Sequence, residues 1–191
     1  MQKKSMLTGV LAAIICTSAF AQDAPVNIVG LVDKIDGANL VVKADDASVQ
    51  TFKFAPKLLI LQSRTVTLAD IKPNDFVASA AIRKEDGKLH STEVRIFPEA
   101  LRGQGEGQRP MNDPRNQTMT NATVTGAVSM GASNMLKVKL PQGESELIVD
   151  PGVPVTRIEA VEKEALKSGA KIRIQAVRNA DGLVANRINI Q

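Results

Sequence analysis

The chain repeats itself. Gly30-Leu31-Val32 returns as Gly126-Ala127-Val128 after 96 positions, while Pro56 returns as Pro151 and Ile71 as Leu166 after 95. Ala81-Ile82-Arg83-Lys84-Glu85-Asp86-Gly87 is matched by Ala176-Val177-Arg178-Asn179-Ala180-Asp181-Gly182, again 95 positions on. A constant offset across glycines, prolines and apolar positions marks a duplication. The fold must therefore be one that a stretch of about 70 residues, such as 122–191, can build twice.

Within the first copy, apolar and polar residues alternate in short runs. Val26–Ile35 and Leu40–Ala44 flank the turn signal Asp36-Gly37, and Val49–Phe54 follows Asp45-Asp46. Asp75–Arg83 and Leu89–Phe97 flank a second hairpin signal, Asp86-Gly87. Runs of this kind predict antiparallel strands joined by tight turns. Thr67-Leu68-Ala69-Asp70 predicts a capped helical turn that Pro73 stops. In the second copy Thr156-Arg157-Ile158-Glu159 has the spacing of a capping box. Val161, Ala165 and Leu166 follow at helical intervals, and Gly169 is a fitting stop. The pattern predicts a helix of two to three turns there. Seventy residues bury little in an open sheet, so a closed barrel is the economical solution. The expected fold is mainly β: two tandem small OB-like β-barrels, each with one short helix. The first spans 23–97 and the second 122–191, and 98–121 is a Gly/Pro-rich linker between them.

The chain opens with Lys3 and Lys4, an apolar run from Leu7 to Ile15, and Ala19-Phe20-Ala21. That order reads as a signal peptide over 1–21, and the expected location is periplasmic. Ile15 before Cys16 argues against a lipid anchor, and no later run reaches the length of a membrane span. Cys16 is the single cysteine, so the exported chain carries no thiol or disulfide. Lys3 and Lys4 are two of the 24 basic residues, which leaves 22 against 20 acidic ones beyond the signal. With no Trp or Tyr to stack bases either, the composition argues against nucleic-acid binding.

The two-copy layout, the G-x-V strand, the x-D-G-x-L hairpin and the linker words EALRGQGEGQRP and TMTNATV resemble a bacterial secreted family of unknown function built from tandem small β-barrels. The resemblance covers nearly all of the chain beyond the signal. It implies an architecture and an envelope address, and no activity. Some members of that family carry metal-transport labels.

Motifs of enzymatic nucleophiles and zinc sites are missing: the sequence has no G-x-S-x-G and no H-E-x-x-H. The expectation is a protein that is not an enzyme and needs no cofactor. Asp45-Asp46 and Glu144/Glu146 read as solvated turn and strand residues. His90, the single histidine, reads as a surface residue, because Leu89 beside it is the one to point inward. The candidate ligand or partner site is the loop Arg102-Gly103-Gln104-Gly105-Glu106-Gly107-Gln108-Arg109. Its glycines free the backbone to turn N–H groups toward an anion, and two arginines flank it. The alternative is a methionine site. Met111, Met119, Met130 and Met135 fall close together, and thioethers are soft ligands for Cu(I). The expected function is binding or scaffolding in the cell envelope, with an envelope protein or an anionic ligand as partner. Periplasmic metal handling is the alternative.

Overall fold

The structure, a computed structural model, describes residues 24–180 and 182–191. The segment read as a signal peptide, Cys16 and the turn residue Asp181 lie outside the described residues, as does the side chain of Met130. The protein is mainly β. Its strands are β1 (Ala24–Asp36), β2 (Asn39–Ala44), β3 (Val49–Val66), β4 (Phe76–Arg83), β5 (Leu89–Phe97), β6 (Gly107–Pro110), β7 (Thr118–Met130), β8 (Ser133–Leu140), β9 (Gly143–Val149), β10 (Val155–Ala160), β11 (Lys171–Asn179) and β12 (Gly182–Ile190). No helix among the described residues is long and apolar enough to cross a membrane.

The hairpins form where the turn residues place them. Gly37 and Gly87 take φ of +59° and +75°, the left-handed conformation that these tight turns require. Gly30 has a different reason to be glycine. A methyl group there would collide with the carbonyl of Lys43 and lie 2.8 Å from the Ala44 Cα on the neighbouring strand, whereas one on its repeat counterpart Gly126 would meet nothing within 4 Å. Gly30→Ala is therefore expected to cost ~1–3 kcal/mol through forced strand separation, with Gly126→Ala close to neutral. Paired urea melts of the two variants measure the difference.

The strand pairing departs from the expectation of two self-contained halves. β1 pairs antiparallel with β2 and β2 with β3, as a local meander should. The ring is then completed by the far end of the chain: β11 pairs with β1, and β12 runs parallel to β3 from Leu183/Phe52 to Ile190/Gln62. This is a closed five-stranded barrel, ring A, in the order β1-β2-β3-β12-β11. Five of the other strands, with β6 and β10 outside them, follow the same order, and β4 pairs with β5. β7 pairs with β8 and β8 with β9, then β4 pairs with β7, and β5 meets β9 in parallel at Leu89/Leu147 and His90/Ile148. In this second ring, ring B, the last two strands come from the first copy. The last two strands of ring A come in turn from the second copy.

Each ring buries its own core, and each core draws on both copies. Val32, Leu40 and Phe52 pack with Ile172, Ile174 and Ile188 in ring A. Val77, Val94 and Ile96 pack with Leu136, Val138 and Leu147 in ring B. The sequence reason lies in β3. From Lys57 to Ala69 there is no Gly, Pro, Asn or Asp to turn the chain back, and 155–168 is equally bare. The strand therefore runs on for 18 residues and carries the chain from one ring to the other.

That run also overturns the predicted helix of the second copy. Val155–Ala160 is β10, antiparallel to Val66–Leu61 of β3, and Lys163–Ala165 makes a single 3-10 turn. Val155, Thr156 and Ile158 are β-branched and suit a strand once β3 offers an edge. The pairing is centred on Ser63 and Ile158, which are 95 positions apart, so equivalent segments of the two copies pair about a pseudo-twofold axis. The turn at Leu68–Asp70 forms as predicted, with the Thr67 amide donating to the Asp70 carboxylate at 2.8 Å.

Residues 98–121 are more than a tether. Glu99–Leu101 forms one 3-10 turn that buries Leu101, β6 pairs with β7, and Thr118–Asn121 already belong to β7. This strap lies against ring B, and every residue of β4 from Phe76 to Ala81 is buried. Between strap and sheet is a polar layer: Gln117 donates to Thr92 at 2.6 Å, Gln108 to Thr120 at 3.0 Å, and Ser79 to Ser91 at 2.9 Å.

Candidate binding site

The arginine-glycine loop is committed to its own packing. Arg102 donates to both carboxylate oxygens of Glu99 and to the Asn74 carbonyl, while Arg109 donates to the Gly105 carbonyl at 2.7 Å. Gly103, Gly105 and Gly107 all have positive φ. The amides of Gln104 and Glu106 bond back to the carbonyls of Leu101 and Gly103, so they do not converge on an outside anion. Gly105 sits tight, since a Cβ there would lie 3.2 Å from the Asn121 amide nitrogen. Glu106 is exposed.

The methionines are spread along the sheet. Met119 lies on β7 opposite Ala80 and Arg109, and Met135 on β8 opposite Val128. Positions 119 and 128 are about 30 Å apart along an extended strand. Met111 follows β6 within the strap, where its amide bonds to the Gln117 carbonyl. The fourth, Met130, has its side chain outside the described residues.

A concave surface lies elsewhere, on ring B. A groove of about 440 Å³ is lined by Arg83, Lys88, Gln108, Lys137 and Glu144–Glu146. Three segments build it. The β4–β5 turn gives Arg83 and Lys88, and β6 gives Gln108, whose amide reaches Ser145 at 3.3 Å. The β8–β9 hairpin gives the floor, with Lys137 directly opposite Glu146. None of these five charged side chains forms an ion pair among the described residues. Beside them, Gly143–Glu146 pair with β8 on one side only, because β5 joins β9 no earlier than Leu147. A strand edge with unpaired backbone groups therefore borders the groove.

Next to Leu89, which lines the groove, stands His90, and here the surface reading of this residue needs correction. Leu89 does point inward and is buried, but the His90 side chain is only 13% exposed. Its Nδ1 lies 2.8 Å from Asp150 and its Nε2 3.0 Å from Asp86. Lys84 and Ser133 also donate to Asp150, each at 2.9 Å. Hydrogen bonds to Asp86 and Asp150 raise the His90 pKa, against the opposing effects of burial and of Lys84. Asp150 is held well below the usual carboxylate range, first by His90 and then by Lys84 and Ser133. Asp86 is lowered by His90 and the Lys88 amide. Asp86 was visible four residues before His90; Asp150, on the other copy, was not.

The four described phenylalanines are all used inside the fold. Phe52 and Phe76 are buried, Phe97 stacks on Phe76, and Lys163 covers the Phe54 ring. No family model matches the sequence, and neither the curated proteins nor the solved structures searched contain a significant match.

Proposed function

We propose that the protein is a non-enzymatic, exported binding protein of the cell envelope, and that it takes an extended peptide segment of a partner protein along the free edge of β9. We further infer that both rings are OB-type barrels, the product of a duplicated unit whose fourth and fifth strands are exchanged. In both rings the order is first-second-third-fifth-fourth, with only the third and fifth strands parallel. Barrels of this type bind ligands on the face of the second and third strands and in the loop between the fourth and fifth. In ring B those are β8, β9 and the 84–88 turn, which together form the groove.

The observation that carries the peptide reading is the unpaired edge Gly143–Glu146 beside a groove lined with both charges. An added strand would take its main-chain hydrogen bonds from that edge, and side chains would be read by Lys137, Glu144 and Glu146. Sugars and bases would want an aromatic platform, and no described phenylalanine lies in the groove.

Selection from a phage-displayed random peptide library on the mature protein tests this reading. The enriched peptides should bind a variant with Lys137→Ala, Glu144→Ala and Glu146→Ala roughly tenfold more weakly or worse, the scale of lost charge-assisted hydrogen bonds. All three side chains are exposed, so the variant should fold normally. Peptides that bind wild type and variant equally would overturn the site.

A further inference from the structure

The contacts of His90 cannot be satisfied by a neutral ring. A neutral imidazole donates from one nitrogen and accepts at the other, but here both nitrogens face carboxylate oxygens, which only accept at neutral pH. Both must carry protons. The ring joins the first copy's turn, through Asp86, to the end of the second copy's β9, through Asp150. On either side of that bond lie the groove residues: Arg83, Gly87 and Lys88 on the turn, and Glu144–Glu146 on β9.

We propose that His90, held as an imidazolium between Asp86 and Asp150, is the positioning residue of the β9 groove and fixes the distance between its two walls. The inference takes the groove as the binding site proposed above, but its test needs no ligand. The groups that face the ring are known from each neighbouring element. Asp86 and Lys84 belong to its own turn, with Lys88 beyond Asp86, while Asp150 follows β9 and Ser133 opens β8 and holds the second oxygen of Asp150. Histidine is the side chain whose ordinary titration falls near neutrality, so His90 is the group to follow.

The pH window follows from the directions of the shifts. His90 is raised, so its contribution is complete below its ordinary value of about 6.5 and is lost as pH rises through the raised value. Asp86 and Asp150 are lowered, so theirs is complete above about 3.9 and lost as pH falls through the lowered values. Between those limits the clamp is whole. At higher pH one carboxylate faces a lone pair, one of the two His90 bonds is lost, and the 84–88 turn keeps Lys84 as its side-chain contact to Asp150.

As the only histidine, His90 gives a single imidazole signal to follow. A pH titration of the full mature protein by ¹H–¹⁵N NMR should show both ring nitrogens protonated at pH 6 and a midpoint above about 6.5. The amides of Lys137, Ser145 and Glu146, across the groove, should move with that same midpoint. Asp150→Asn should lower it, and His90→Gln should remove the shared transition from the groove amides. A midpoint at or below 6.5 would overturn the proposal. So would a titration felt only from Asp86 to Leu89. If His90→Gln does not fold, the wild-type and Asp150→Asn titrations still decide the matter. A groove that binds no peptide leaves this result intact, and a groove that binds peptide with no response to His90 removes this proposal alone.

Discussion

Cutting the chain between Arg115 and Asn116 should leave one particle, not two. Both residues are exposed in the turn that Asp113 organises through the amides of Arg115 and Gln117. A protease recognition sequence inserted there gives a clean cut between the copies. If each copy were a complete barrel, the fragments would part and both would stay folded. Instead, each ring takes three strands from one fragment and two from the other. Separation would strip β11 and β12 from ring A and β4 and β5 from ring B, exposing both cores. The expected result is a single size-exclusion peak in buffer that resolves into two fragments only in denaturant, at a concentration-dependent midpoint. Two folded half-size species would overturn the exchanged topology.

A core substitution should damage a ring, not a copy. Ile174 is fully buried on β11, opposite Ile28 of β1 and Ile188 of β12. Ile174→Ala should cost ~2–5 kcal/mol, the range for emptying such a site. That is a large part of a typical domain's ~5–15 kcal/mol. Hydrogen exchange locates the damage. Protection should fall across β1 and β2, which lie about 130 or more residues away in sequence but in the same ring. It should hold in β7 and β8, which belong to the same copy as the substitution. The reverse pattern would show that the copies are the cooperative units.

Much of the local structure was legible in the residues. Leu89–Phe97 is a strand with the predicted bounds, and Asp36-Gly37 and Asp86-Gly87 turn where their chemistry requires. Partner choice was harder, because a duplicated sequence offers each third strand two equivalent fifth strands. What separates the alternatives is the missing turn signal between Lys57 and Ala69, a negative feature. The short capping-box match at Thr156–Glu159 also looked helical, and its strand state depends on an edge supplied from 95 residues away. The site had the same difficulty. Arginines and glycines in the strap form a local pattern, and Arg102 and Arg109 bond within the fold, whereas the groove and the His90 clamp join residues that carry no local motif. Glu144 and Glu146 read as solvated strand residues, and they are exposed, but the edge they sit on is defined only by where β5 begins.

The exchange also sets an order in time. Any process that delivers the chain amino-terminus first presents β1, β2 and β3 long before the strands that close their ring. Ring A cannot be completed until Ile190 has arrived, and ring B waits for β9. Contacts this distant in sequence carry a large loop-closure cost and slow the search for the native pairing. The leading half therefore spends the whole of its delivery with unpaired edges and an uncovered apolar face, the condition in which β-rich chains aggregate. Whatever receives the emerging chain must shield that half until the last hairpin is in place.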